Sequence, residues 1–158
     1  MTNDLDPTIV DYDPVYGDAF ARLNREWLEE YFRVEPIDEE IFADPVATIL
    51  RPGGVILYAV SGEEAVGTVA LKYHGGAVYE LTKMAVTAGQ RGLGLGRRLM
   101  RAAVDRYAGL GGKTMYLESH SSLRPAIALY ESAGFVHEPP PSPSEYERAD
   151  VYMVYRPK

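Results

Sequence analysis

Gln90-Arg91-Gly92-Leu93-Gly94-Leu95-Gly96-Arg97-Arg98 is the stretch on which the reading of this chain turns. It follows an apolar run that ends at Val86. It leads into a segment whose Leu95, Leu99, Ala102, Ala103 and Tyr107 fall on one helical face, predicting a helix over 95–110. The pattern is therefore strand, glycine-rich loop, helix. Glycines let the backbone take positive φ and approach a ligand closely. The first amides of a helix have no intrahelical partner and lie at the positive end of its dipole, which suits a pyrophosphate. One such dipole contact contributes only about 0.3–1 kcal/mol. Several amides, with Arg91 and Arg97, would have to act together. Three glycines in five residues beside three arginines exceed what a tight connection alone requires.

Two familiar phosphate loops fail on register. A dinucleotide fingerprint, G-x-G-x-x-G, would end at Arg97 if started from Gly92 and at Leu99 if started from Gly94. A P-loop needs lysine and Ser/Thr after its last glycine, but Gly96 is followed by Arg97 and Arg98.

Working outward, three strands precede the loop, over 55–60, 65–73 and 78–86. They are separated by the hairpin-like breaks Ser61-Gly62-Glu63-Glu64 and His74-Gly75-Gly76. Before them, residues 8–12 are β-prone. Asp13-Pro14 reads as the cap of an amphipathic helix over 14–32, with Phe20, Leu23, Trp27 and Tyr31 on its apolar face. A short helix is expected over 37–43. After the loop helix come a strand over 113–118, a helix over 125–133 closed by Gly134, a strand start at 135–137, a Pro/Ser-rich loop over 138–145 and a last strand over 151–155. This order is a mixed-sheet α/β layer architecture rather than a regular βαβ alternation.

The 158 residues, 46% hydrophobic, suit one domain spanning 1–158. No run approaches the length of a membrane span, and the start Met1-Thr2-Asn3-Asp4-Leu5-Asp6 has no leader-like pattern. A cytoplasmic location without membrane attachment is the expectation. The absence of cysteine excludes a disulfide framework, a thiolate metal site and a cysteine nucleophile. A net charge of −7 argues against broad nucleic-acid binding.

Arg91, Gly94 and Gly96 meet the pattern R/Q-x-x-G-x-G/A. Downstream, Ala126-Ile127-Ala128-Leu129-Tyr130-Glu131-Ser132-Ala133-Gly134-Phe135 is similar to A-I-x-L-Y-x-x-x-G-F. With one strand between them, the two motifs resemble the GNAT acetyltransferase superfamily over nearly the whole chain. The resemblance implies an α/β fold with antiparallel N-terminal strands, central splayed strands and helices on both faces. It implies an acyl-CoA donor, acetyl-CoA, with no metal, and an amine acceptor, either a small molecule or a peptide. A homodimer is a possible assembly.

Residue by residue, the resemblance places the pantetheine arm along Met84, Ala85 and Val86. The pyrophosphate falls at Arg91, Gly92, Leu93, Gly94, Leu95, Gly96 and Arg97. Tyr130 is placed beside the thioester sulfur as proton donor; without the motif it would read as a core aromatic. Many relatives have asparagine where this chain has Leu123, so a contact to the pantetheine arm would fall to Ser119, His120 or Ser122. The first two helices and the last inter-strand loop wall the acceptor, implicating Trp27, Glu30, Tyr31 and residues 139–148.

An aliphatic amine of pKa about 10.4 is almost wholly protonated at neutral pH, and only the neutral form attacks, so a base is needed. Glu80 is the first candidate, on a strand whose alternation puts Glu80, Thr82, Met84 and Val86 on one face. Glutamate serves as base at the matching position in some members of the resembled family. Glu118 is the second candidate, His120 the third, and a water chain without a single base remains open. With no cysteine, direct attack in a ternary complex is the simpler route; apposition of two substrates can supply about 7–11 kcal/mol at best. A non-catalytic acyl-CoA-binding module would share the loop and differ at Tyr130 and Glu80.

Coenzyme A should raise the melting temperature, because it binds only the folded chain, whereas NAD and ATP should do so far less. A shift with NAD and none with coenzyme A in a thermal-unfolding assay would contradict the assignment.

Overall fold

The computed structural model describes residues 6–157. Residues 1–5, most of the start read above as lacking a leader pattern, lie outside the described residues. Among the described residues, seven strands form one mixed sheet in the order β1-β2-β3-β4-β5-β7-β6. They are β1 (Thr8–Asp11), β2 (Val55–Ser61), β3 (Glu64–Tyr73), β4 (Val78–Val86), β5 (Thr114–Ser119), β6 (Phe135–His137) and β7 (Val151–Tyr155). Pairing is antiparallel throughout except between β4 and β5, which run parallel. Four α-helices cover the sheet: α1 (Ala19–Tyr31), α2 (Pro36–Ala43), α3 (Leu95–Gly109) and α4 (Arg124–Ala133). This is the mixed α/β architecture, with helices on both faces, that the sequence implied.

Alternation within β2 and β3 sorts their side chains between two cores. Leu57, Val69 and Leu71 pack with Leu99, Met100 and Ala103 of α3. On the other face, Ile56, Tyr58 and Ala70 pack with Phe20 and Leu23 of α1 and Ile41 of α2. The sheet is thus buried on both sides, and its strands read as near-continuous apolar runs.

Two local expectations change. Asp13 caps only the single 3-10 turn Pro14–Tyr16, where its Oδ1 accepts from the Val15 amide at 2.9 Å. Gly17, at φ 61°, then turns the chain, and α1 begins at Ala19. A wide helical turn at Val46–Leu50, unmarked in the sequence pattern, buries Ile49 under β2 and β3.

The larger correction lies in β4. Thr82 pairs with Ala70 and Ala85 with Thr68, so Val69 alone stands opposite both Lys83 and Met84. This is a β-bulge, with Lys83 at φ 56°. It reverses the alternation. Tyr79 and Leu81 belong to the α3-side core, and so do Met84 and Val86, whereas Ala85 belongs to the α1-side core. Glu80 and Thr82 therefore do not share a face with Met84 and Val86. Period-two reading fails wherever one strand carries an extra residue.

A buried ionic cluster surrounds the bulge. Lys83 Nζ donates to Asp38 Oδ1 at 2.8 Å and to Tyr146 Oη at 2.9 Å. Arg148 grips both Asp38 oxygens at 2.7 and 2.8 Å. It also reaches Glu35, whose other oxygen accepts from the Glu147 amide at 2.8 Å. Burial would raise the Asp38 carboxyl, but Arg148 and Lys83 outweigh it and bring it down to about 2. For Lys83, burial dominates and lowers its pKa against the pull of Asp38.

Removing one member of a buried ion pair leaves the others uncompensated and typically costs about 3–5 kcal/mol. Asp38→Asn should lose that order of stability in urea unfolding; a loss below about 1 kcal/mol would contradict a stabilising cluster. Because folding depresses the Asp38 pKa, its contribution is fully present above the unfolded value of about 4. It should be lost as pH falls from there toward about 2.

Candidate active site

The β4–β5 register ends at Glu80 opposite Tyr116, and beyond that point neither strand pairs with the other. The two strands splay, and the edge of β4 beyond Glu80 that faces β5 has no strand partner. Parallel strands parting in mid-sheet open a cleft lined by Glu80, Met84, Glu118, Ser119, Leu123 and Tyr130, with Trp27 of α1 and Phe32 just after it closing the cleft. The sequence-derived candidates Glu80, Met84, Ser119 and Tyr130 therefore meet in one cavity.

The glycine loop lies past the open end of β4. Gly92 and Gly94 take φ of 81° and 79°, a region that L side chains seldom adopt. No protein atom lies where a Cβ at either position would project. Gly94 caps α3 without any side-chain hydrogen bond, so the first amides of the helix stay available. Gly96 sits inside α3, where a Cβ would meet Leu129 of α4 at ordinary contact distance. Leu93 is exposed and Leu95 buried, and the two alternate sides along the loop.

The two arginines divide. Arg97 is exposed at the start of α3. Arg91 is folded back instead: its Nε donates to the Val86 carbonyl at 2.9 Å and its guanidinium meets Glu30 of α1 at 2.5 Å. Glu26 of α1 accepts from the Ala88 amide at 3.0 Å. Arg91 thus fastens the loop to α1, and Glu30 is engaged in that contact rather than free toward an acceptor. Tyr31 is exposed beside Arg91.

Tyr130 packs against the α3-side core and has Phe135 as an edge-on neighbour. Burial pushes its phenol up to about 12, opposed by a hydrogen bond with Ser119. Such a phenol is neutral at physiological pH and can donate a proton. Glu80 is 6% exposed. Its Oε1 lies 2.9 Å from His74 Nε2. Burial raises the pKa of Glu118; a hydrogen bond with Ser144 opposes the rise, while Glu80 and Glu145 add to it. His120 is engaged locally, its Nδ1 2.7 Å from Ser122 Oγ and its ring against Phe32.

A second cleft opens on the other side of Glu80. Tyr116, Tyr152, Glu118 and His74 line it under the loop over 140–146. Glu80, Glu118 and Tyr146 border both clefts, so the two meet at these side chains. Sequence reading passed over His74 and the Asp38–Lys83–Arg148 cluster. The available signal was a lysine, Lys83, inside an otherwise apolar strand, and a histidine at a hairpin six residues before the candidate base.

Splayed parallel strands, a glycine loop opening a helix and a partly buried tyrosine beside the gap are the features that the resemblance to acetyltransferases implied. Comparison with known proteins agrees. The acetyltransferase (GNAT) family model matches residues 18–135, and the chain belongs to that family. It is 32% identical over 123 residues to an uncharacterised N-acetyltransferase of Schizosaccharomyces pombe, covering 75% of each chain. It is 31% identical over 134 residues to the uncharacterised N-acetyltransferase YjgM of Escherichia coli, again covering 75% of each. Among solved structures, a GNAT acetyltransferase of Staphylococcus aureus superposes with a TM-score of 0.85 at 19% identity, covering 96% of this chain and 99% of that one. An aminoglycoside 6'-N-acetyltransferase complexed with coenzyme A superposes with a TM-score of 0.69 at 20% identity, covering 93% and 95%.

Gly94→Asp should abolish coenzyme A binding in calorimetry while leaving the fold largely intact. A Cβ there meets no protein atom, so the cost to the fold is the local strain of a side chain at positive φ, while the added charge would repel a bound pyrophosphate. Unchanged affinity would make the loop a structural turn only.

Proposed function

We propose that this protein, working as a single catalytic domain, transfers an acetyl group from acetyl-CoA to an amine by direct attack within a ternary complex. The observation that carries the reading is the cleft where β4 and β5 part, which brings Glu80, Tyr130 and the unpaired edge of β4 into one cavity. In this reading the pantetheine arm lies along Met84–Val86, and the pyrophosphate meets the amides of residues 92–97 with Arg97. Arg91 holds the loop in place from α1. Ser119 orients Tyr130. The acceptor enters from the second cleft and reaches the thioester past Glu80.

Roles follow from burial. Glu80, nearly enclosed, takes a proton from the amine as the nitrogen attacks the thioester carbonyl. Tyr130, kept neutral by burial, gives its proton to the departing thiolate. Glu118, on the adjoining strand with a carboxyl that burial raises, is the alternative base. The acidic, tyrosine-lined second cleft favours a cationic acceptor by charge. The coenzyme A complex of a structural neighbour supports the donor. An intracellular supply of acetyl-CoA fits a cytoplasmic protein acting on soluble amines.

Incubation with acetyl-CoA and a panel of spermidine, kanamycin, lysine and a peptide with a free N-terminus, read as free-thiol release, tests the activity. Glu80→Gln should lower turnover about 10²–10⁴-fold, the range for a positioned proton acceptor, and higher pH should partly restore it by supplying neutral amine. Tyr130→Phe should also lower turnover with little change in coenzyme A affinity. Normal turnover of Glu80→Gln with an unshifted acidic limb would pass the role to Glu118 or to water.

A further inference from the structure

Glu80 is largely enclosed: its side chain is 7% exposed where the two clefts meet, and donor and acceptor filling those clefts would cover it. His74 touches it. The imidazole Nε2 lies 2.9 Å from Glu80 Oε1 and 3.1 Å from Tyr116 Oη. The imidazole is 35% exposed, and among the described residues its Nδ1 has no hydrogen-bond partner. The hairpin fixes this placement. The His74 amide donates to the Val78 carbonyl at 2.9 Å, which closes the β3–β4 turn. The ring also leans on Tyr116, centroid to centroid 5.7 Å. One imidazole thus spans the distance between a buried carboxylate and solvent.

We infer that His74 is a proton-relay residue that acts through Glu80 and carries to solvent the proton removed from the acceptor amine. The inference rests on the reading of Glu80 as the base. The steps balance. The amine nitrogen loses a proton to the Glu80 carboxylate, which becomes neutral. Glu80 passes that proton to Nε2 of the His74 tautomer that holds its hydrogen on Nδ1. Nδ1 releases its own proton to water, and the ring is left as the other neutral tautomer, with Nε2 donating to the regenerated carboxylate. Once the products leave, water in the emptied clefts takes the Nε2 proton by way of Glu80 while Nδ1 takes one from solvent, which restores the starting tautomer.

Tyr116 fits as the partner of the bare nitrogen. Burial first, then the charge of Glu80, raises the pKa of its phenol, so the hydroxyl keeps its proton and can donate it to Nε2. The other charged or titratable groups lining this cleft are Lys72 from β3, Glu118 from β5, Tyr152 from β7 and Glu145 and Tyr146 from the loop. None of them is within hydrogen-bond distance of His74 among the described contacts. The relay consequently runs through Glu80 and His74 alone.

The test is the dependence of turnover on buffer concentration, read as thiol release from acetyl-CoA with the fastest amine of the panel above. His74→Gln keeps a donor for Glu80 but cannot relay. At low buffer it should lower kcat about tenfold or more, with KM and the coenzyme A-induced rise in melting temperature unchanged. Added imidazole should restore kcat in proportion to its concentration, while the unaltered protein shows no response. Glu80→Gln should stay slow at every imidazole concentration, because its site is enclosed. Normal kcat of His74→Gln at low buffer would overturn the relay. So would a loss of kcat that imidazole does not restore, since that marks a packing role. In both cases a slow Glu80→Gln leaves the base reading standing, whereas a fast Glu80→Gln removes both.

Discussion

Lys83 holds a backbone conformation that a lysine seldom adopts, φ 56° in the middle of a strand. Its ammonium is buried against Asp38 and Tyr146. The bulge it occupies turns the last residues of β4 over. Without it, Met84 and Val86 would face α1, and the strand would run on with Glu80 and Met84 on the same side. With it, β4 gives up alternation just past the point where it gives up pairing with β5. The cleft between the strands depends on that change.

The ionic cluster explains how such a bulge persists. A buried charge is tolerated only when it is paired and hydrogen-bonded. Here three elements distant in sequence supply the partners: Glu35 and Asp38 from the start of α2, Lys83 from β4, and Arg148 and Tyr146 from the loop before β7. The same contacts that fix the bulge seat the loop over 140–148 above the second cleft. The bulge and the wall of the second cleft are therefore coupled through one set of charges. The glycine loop is built independently, from Arg91 pinned to α1 and from the positive φ of Gly92 and Gly94. Glu80 stands where the two halves meet.

The fold was legible where local chemistry decides it. The glycine loop, the helix behind it and the apolar strands before it have patterns that tertiary context only reinforces. The pair Gly62-Glu63 closes the β2–β3 hairpin as the turn residues imply. The first helix was misjudged because Asp13-Pro14 is a good cap in itself, and only the left-handed Gly17 stops it after one turn. The face assignment in β4 could not be read, because a bulge with lysine at positive φ has no local signature. It is stabilised by Asp38 and Arg148, 45 and 65 residues away in sequence. Glu80 and Tyr130, singled out by residue type in the sequence, line one cleft in the structure. The contact of His74 with Glu80 depends on a hairpin geometry that spacing alone does not give.

The central claim is that the donor adds itself to the open edge of β4 where the strands splay. Amide hydrogen exchange with and without saturating coenzyme A measures this directly. The account predicts slowed exchange in two places: amides of Met84–Val86, and amides of residues 92–97 at the glycine loop and the start of α3. Saturating coenzyme A that leaves both segments exchanging at their free rates, with protection confined to other surfaces, would contradict it.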